Sequence, residues 1–419
     1  MAIQTQTKYL LLAGANQFQR ERVIVGALRA YDGIVVGTDT KGVFSQNRLF
    51  SDIIQCWDAD PQESLRAVLD YEKKTGATPC GVIPVNDFVL NSAEKIAEHY
   101  NLPRLSKETI KNCRSKYDAK KIFQENKLPC VTAKIFSNLN EGRKIANELT
   151  YPVVIKPYNL GGSCGVIKVN DENIFESCFL YLKDGVNKYA KKYDSETELY
   201  IIEPYIESRS EISVEVLCDE SNHRVLTVTD KFLGEEPYFS EVGHCMPSKY
   251  LKNELVKLTA LAATRALGIN LGIAHVEMKM TKNGPFIIEV GCRPAGDGIM
   301  DILERSYGYN PYEAHIRSYM GTLSKMKIIE HPKLKSAIAF LHPKPGVVTM
   351  ANSESIFSKS NHVMRIVNAA QVGQSIEKAK DFSTRQGFVE YAWPLEIEFN
   401  FHENVKVIAD EIIKTRSGD

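Results

Sequence analysis

The apolar residues of this chain change their period once, and that change limits the folds open to it. Up to about residue 100, apolar runs alternate with helical periods. "KYLLLAGA" reads as a strand, "QFQRERVIVGALRAY" as a helix and "GIVVGTD" as a strand; a helix through 61–75, the strand "CGVIPVND" and a helix over 88–100 follow. Short runs ending in Gly, Asn or Asp and separated by helices build a small parallel sheet. Further on, "YPVVIKPYNLGGSCGVIKV" reads strand, glycine loop, strand. Then "ELYIIEPYIES", "EISVEVLCD" and "HRVLTVTDKF" run with period 2, the pattern of an antiparallel sheet. A helix over 251–268 and an apolar hairpin come next, and "SAIAFLHPKPGVV" with the remaining tail reads as a smaller mixed lobe. At 419 residues the chain exceeds what one core usually serves, so two or three domains are expected.

Charge sets the next limit. Lys+Arg and Asp+Glu stand at 52 each, so no global field favours nucleic acid or an anionic membrane, and any anion site must be local. No apolar run has the length to cross a bilayer, and the opening "MAIQTQTKYLLLAGANQF" lacks the basic start of a signal peptide. The nine cysteines are scattered without a C-x-x-C pair, which suits reduced thiols and a cytoplasmic location.

The hairpin "VEMKMTKNGPFIIEVGCRPAGD" (276–297) carries two carboxylates, Glu277 and Glu289, in an otherwise apolar setting. A tight turn on Asn283-Gly284 would pair Glu277 with Val290. A longer loop from Thr281 to Pro285 would set Glu277 opposite Glu289, and Pro285, which has no N–H for the ladder, favours the longer loop. Two opposed carboxylates repel unless a hard divalent cation removes the cost, and Mg2+ is usually held by one or two carboxylates with substrate phosphates. Otherwise they are exposed acids on an edge hairpin.

In "VVIKPYNLGGSCG", Lys156 ends an apolar strand, where an ammonium is costly without an anion. Gly161, Gly162, Ser163 and Gly165 follow as a loop whose backbone N–H groups can close over phosphate. A strand comes next, so this is no Walker loop. Glu203 closes the strand of "YIIEPYI" and Glu211 opens the next. Both suit the donor groups of a nucleotide's ribose and base, or cap strand ends. Asn16, Asp39, Asn86 and Asp87 stand at strand ends of the N-terminal sheet, where ligands gather or turns are capped. "LLAGANQF" is too poor in glycine for a dinucleotide fingerprint.

In order, "RSKYDAKKIFQENKLP", "PVVIKPYNLGGSCGV", "IIEPYIES", "EISVEV", "HVEMKM" and "IIEVGCRPAGD" resemble the ATP-grasp superfamily, in particular its carboxylate–amine ligases of the L-amino-acid, dipeptide-forming kind. The resemblance spans roughly 110–320. It implies an α/β ATP-grasp fold: an N-terminal parallel domain over 1–112, a lid subdomain over 113–205, and an antiparallel grasp domain with a terminal lobe over 206–419. It implies ATP and Mg2+, with Mn2+ as a substitute. Lys116 and Lys156 would hold the phosphates under a flap of Gly161, Gly162, Ser163 and Gly165. Glu203, Pro204, Tyr205 and Ile206 would receive adenine and Glu211 the ribose. Glu277 and Glu289 would bind the metal, and Arg293 would meet the transferred phosphoryl group or the carboxylate substrate. The family commonly reads Glu-x-Asn-x-Arg; here "EVGCR" has Gly291 in the place of the Asn, which leaves one metal or two open. Such a small residue is a variation seen among amino-acid ligases.

"FSEVGHCMPS" (239–248) resembles the substrate end of the same ligases, so Glu241 and His244 would contact an amino group or assist its deprotonation. His275, two residues before Glu277, shares its face as a supporting group. Asp297 either caps a helix start or lines the substrate pocket beside Arg293. The implied reaction phosphorylates a carboxylate and lets an amine displace phosphate, releasing ADP. Cys164 and Cys292 have no visible activating base, so covalent catalysis is not expected. The expected partners are small molecules, with no nucleic acid and no membrane, and a homodimer is left open.

Overall fold

A computed structural model describes residues 7–14, 21–40, 49–193, 198–220, 222–352 and 361–416. The N-terminal alternation builds a parallel sheet of β1 (Lys8–Ala13), β2 (Ile34–Asp39), β3 (Asp52–Gln55) and β4 (Thr78–Pro84), in the order β3-β2-β1-β4. Helices α1 (Glu21–Ala30), α2 (Pro61–Thr75) and α3 (Leu90–His99) connect and flank these strands. Local chemistry sets α2: the Asp60 carboxylate accepts from the N–H groups of Gln62 and Glu63, Pro61 begins the helix, and Gly76 ends it with φ 71°.

Helices α4 (Lys107–Arg114) and α5 (Lys116–Glu125) lead to a four-stranded antiparallel lid. Its strands β5 (Lys134–Phe136), β6 (Val153–Pro157), β7 (Ile167–Val169) and β8 (Tyr200–Pro204) run in the order β5-β8-β6-β7. Helices α6 (Leu139–Leu149) and α7 (Phe175–Tyr193) close a separate small core against it. The period-2 reading grouped β8 with the runs that follow it; β8 instead pairs with β5 and β6, inside the 113–205 bounds drawn for the lid.

The main sheet has eight antiparallel strands. They are β9 (Ser210–Asp219), β10 (Asn222–Leu233), β11 (Glu241–Met246), β12 (Leu271–Thr281), β13 (Gly284–Gly291), β14 (Leu334–Phe340), β16 (Val363–Asn368) and β18 (Gly387–Pro394). Their order is β13-β12-β9-β10-β11-β14-β18-β16. Strands β14, β16 and β18 of the tail thus extend the main sheet. Only β15 (Gly346–Ala351), β17 (Ser375–Ile376) and β19 (Ile413–Arg416) form a small sheet of their own, with α11 (Phe401–Ile412) packed nearby.

Helices α8 (Glu254–Ala266), α9 (Ile299–Tyr307) and α10 (Pro311–Tyr319) cover the main sheet's apolar side, and one continuous core joins it to the N-terminal sheet. His315 on α10 ties the two together. Its Nδ1 accepts from the Ile273 N–H at 2.9 Å, and its Nε2 lies 2.9 Å from the Pro84 carbonyl. Gly272 permits this approach, since a Cβ there would stand 2.6 Å from the imidazole.

The hairpin differs from expectation in its route. β12 and β13 turn tightly, with Thr281 opposite Gly284 and Pro285 inside the ladder opposite Met280. A bulge at Ile288 then shifts the register by one residue, and Glu277 faces Glu289 after all. Pro285 is tolerated because β13 is an edge strand.

Candidate active site

The main sheet has a second face that is polar yet buried. Period-2 alternation and register set Lys231 of β10 opposite Glu211 of β9, and Glu211 opposite Lys279 of β12. The next rows on this face hold Thr229, Ser213 and Glu277 with Glu289, then Thr227, Glu215 and His275. The side chains between them, such as Ile212, Val214, Val276 and Met278, enter the apolar core. A polar face that is still buried marks a cleft under the lid.

Lys231 is the hub of this face. Its ammonium lies 2.6 Å from Glu241, 2.7 Å from Glu277 and 3.6 Å from Glu211. Burial alone would lower its pKa, but the three carboxylates raise it well above the ordinary lysine value. Burial also pushes the Glu277 carboxyl upward, yet Lys231 and His275 outweigh it and hold Glu277 far below the usual carboxylate range. His275 bridges Glu215 at 2.8 Å and Glu277 at 3.0 Å. Burial works against its imidazolium, and the two acids still raise it to about 9. Glu211 goes the other way: its desolvation outweighs Lys231, and its pKa is raised.

On the lid side, the Ser115 hydroxyl caps α5 by accepting from the Asp118 N–H. That start places Lys116 and Lys120, four residues apart, on one helix face. Lys116 donates to the Leu160 carbonyl at 2.7 Å, where the glycine loop begins, and lies 3.0 Å from Glu289. Lys120 and Lys156 both bind the buried Glu203 carboxylate. Burial would raise Glu203, but the two ammonium groups hold it at about 2; burial lowers Lys120 to about 8 despite that pairing. Lys120 was not singled out in the sequence, although its spacing from Lys116 was a usable signal. Glu203 therefore organises the two lysines, while Pro204 ends β8 and Tyr205 donates its hydroxyl to Glu236 at 2.8 Å. Ile206 follows, half-buried. Between β6 and β7, Gly162 has φ 68° and Gly165 φ 68°, with Ser163 at φ 59° and Gly161 open to solvent. A Cβ on Gly162 would stand 2.5 Å from the Phe382 ring, so the loop rests on the C-terminal lobe.

The third group lies where β11 meets the start of α9. His244 is fully buried, and among the described residues neither ring nitrogen has a hydrogen-bond partner; Nε2 is 3.5 Å from Glu241. Glu241 is held well below the ordinary range, because Lys231 and His244 outweigh its burial. Asp297 is no helix cap. Gly298 occupies the cap position of α9, and the Asp297 carboxylate takes two bonds from Arg385, at 2.8 and 3.2 Å. Arg385 also reaches Glu241 at 3.4 Å and stacks over the Phe340 ring at 3.7 Å. Ligand atoms of Glu241, His244 and Asp297 lie within 4.8 Å of one another, a spacing a cation can use. Arg385 and Lys231 already neutralise both carboxylates, so that spacing does not argue for a metal. Arg385 comes from the tail lobe, where the sequence showed no motif.

Arg293 extends the site to the N-terminal domain. It donates to Asp87 at 2.7 Å, and Arg114 stands 3.9 Å from the same carboxylate. Against the upward push of burial, Arg293, Arg114 and Lys116 bring Asp87 down to about 2. Asp39 and Asn86 do not reach the site. Asp39 lies 3.4 Å from the Gln55 amide, and Asn86 caps a turn and donates to the Gly14 carbonyl at 3.1 Å. Asn16 lies outside the described residues. Cys164 and Cys292 are buried core groups. A Cβ on Gly291 would touch the Arg293 side chain at 3.7 Å, an ordinary contact, so nothing there forbids a larger residue.

The donor set fits a divalent cation. Glu277 and Glu289 face each other across the hairpin, and an ammonium group sits on each, Lys231 on one and Lys116 on the other. The fit rests on two opposed carboxylates, the hard oxygen ligands that Mg2+ takes, and both ammonium groups would give way to the ion.

Residues 149–301 match the ATP-grasp domain family. The crystal structure of L-amino acid ligase from Bacillus licheniformis superimposes with a TM-score of 0.78, at 22% identity, over 99% of this chain and 100% of that one. Alanine–anticapsin ligase of Bacillus subtilis (strain 168) is 25% identical over 243 residues, 53% of this chain and 50% of its own. A D-alanine–D-alanine ligase of Thermoanaerobacter sp. (strain X514) is 30% identical over 185 residues, 41% of this chain and 48% of its own. The chain spans about half the length of the curated relatives it matches. No described helix is long and apolar enough to cross a membrane. The chain carries an ATP-grasp domain over residues 149–301 and has the ATP-grasp fold.

Proposed function

We propose that this protein is an ATP- and Mg2+-dependent ligase that joins the carboxylate of one amino acid to the amine of a second through an acyl phosphate, releasing ADP and phosphate. The observation that carries the reading is the pair Glu277–Glu289, opposed in register, neutralised by lysines and adjacent to Arg293. Mg2+ bound there would offset negative charge on the phosphates as the phosphoryl group is transferred.

The chain's own residues position and neutralise. Lys116 and Lys156 hold phosphate oxygens, which draws them partly away from Glu289 and Glu203. The loop over 161–165 closes above and excludes water. Arg293, aimed by Asp87, meets the transferred phosphoryl group or the carboxylate substrate. The amine arrives as an ammonium, which the ionised Glu241 attracts, and His244 has unpartnered ring nitrogens that can accept its proton. The cytoplasmic location belongs to this proposal as well.

An ADP-release screen with single and paired amino acids, in Mg2+, tests the reading. It predicts ADP and phosphate in equal amounts, in step with amide formed. AMP and pyrophosphate would replace the mechanism with adenylation. Turnover only with bicarbonate or a nucleotide precursor would move the protein to the carboxylases or purine-pathway ligases of the superfamily, and no turnover despite ATP binding would make it a nucleotide-binding regulator.

A further inference from the structure

Lys279 stands apart from the other buried lysines of the cleft. Lys116 is paired with Glu289, Lys120 and Lys156 with Glu203, and Lys231 with three acids. Lys279 is 7% exposed, and among the described residues its ammonium has no hydrogen-bond or ion-pair partner. It faces two rings instead, Tyr205 at 5.0 Å and Phe239 at 5.1 Å. Cation–π contacts offset only part of the cost of burying an ammonium. Among the described residues the Lys279 ammonium thus has no protein acceptor, and a ligand can supply one.

Its place narrows the acceptor. Lys279 lies two residues along β12 from Glu277 on the same face, a displacement of about 7 Å from the proposed metal carboxylates. It adjoins Tyr205, where β8 leaves the lid, and its register partner on β9 is Glu211. Glu211 is an acceptor and suits ribose hydroxyls, whereas Lys279 is a donor between two aromatic faces, a setting for a planar ring with acceptor atoms. Resting on the nucleotide site of the ligase reading, we propose that Lys279 donates to a ring nitrogen or carbonyl oxygen of the purine base. The base pocket then recognises its ligand by a charged hydrogen bond as well as by apolar contact.

Calorimetric titration of the full chain with adenosine, ADP and inorganic tripolyphosphate tests this. Lys279→Met keeps length and removes the donor. It should weaken adenosine and ADP alike, about ten- to a hundredfold for a hydrogen bond to a charged group, and leave tripolyphosphate unchanged. Lys279→Gln restores a donor and should recover part of the adenosine affinity; it also serves if the Met variant does not fold. Loss of tripolyphosphate binding in step with ADP would make Lys279 a phosphate ligand and overturn the proposal. Unchanged adenosine binding in both variants would overturn it too, while parent binding of ADP preserves the ligase reading. A parent that binds neither ADP nor tripolyphosphate would overturn both.

Discussion

The two walls of the cleft carry opposite charge. On the lid wall, Lys116, Lys120 and Lys156 stand with one carboxylate, Glu203. On the sheet wall, Glu211, Glu215, Glu241, Glu277, Glu289 and Asp297 stand with Lys231, His275, Arg385 and Lys279. The lid wall has spare positive charge, which suits phosphate. The sheet wall has spare negative charge, which suits a metal ion and an ammonium. Each wall is partly satisfied by the other or by itself, so ligands exchange ion pairs instead of meeting bare charges, and the desolvation cost of the buried groups is met before they bind.

The largest expected effect comes from the sheet wall. Glu289→Gln should lower ATP turnover by at least about a hundredfold, the scale of losing a main electrostatic contact in a dry site, while the melting temperature stays close to the parent's. ADP release at the parent rate would break the assignment of this wall to a cation. Glu277→Gln should act in the same direction but more weakly, because Lys231 keeps Glu211 and Glu241 as partners.

On the lid wall, Lys156→Ala should weaken ATP about tenfold or more and adenosine much less, since the ammonium is proposed to see only phosphate. Equal loss for both would make Lys156 a structural partner of Glu203. The glycine loop gives a related check. Proteolysis at 159–165 should slow when ATP is present, and equal rates with and without it would count against a lid.

Asp297→Ala sharpens the sheet wall. The structure has already neutralised Asp297 through Arg385, so the change frees a guanidinium as well as removing an acid. The Michaelis constant for one amino acid should rise about tenfold with little change for ATP, and an unchanged amino-acid profile would assign the pair to holding the tail lobe alone.

The smallest effect is on stability. His342 contacts the Glu241 carbonyl at 3.3 Å, and burial, then Arg385, lowers it to about 4. Its folded pKa lies below the unfolded value, so the unfolded chain takes up a proton first as pH falls. Stability should drop between about pH 6.5 and pH 4, by no more than about 3 kcal/mol and less where solvent reaches the ring. Thermal melts of His342→Gln should show a flatter profile in that window, and identical profiles would remove His342 from the acid response.

Some of the site was legible for local reasons. Lys156 at the end of an apolar strand, the glycines after it and the two glutamates of the hairpin all break a pattern within a few residues. Lys120 was equally local, at helical spacing from Lys116, yet it reads as one more surface lysine in "KYDAKK". Lys231 and Lys279 sit in period-2 strands, where polar alternation ordinarily means a solvated face. In the folded chain that face is buried all the same.

The sequence by itself determined the change of period, hence a parallel domain followed by antiparallel sheets, and it determined that Glu277 and Glu289 share one hairpin. The tertiary structure decided how they meet, through a tight turn and a bulge instead of a long loop, and it separated β8 from the period-2 runs that follow it. It also decided the charge pairings: Arg293 finds Asp87 at 206 residues' separation and Arg385 finds Asp297 at 88. Periodicity depends on neighbours along the chain, so it can be read from them. A buried ion pair depends on which surfaces exclude water together, and that is settled only when the domains pack.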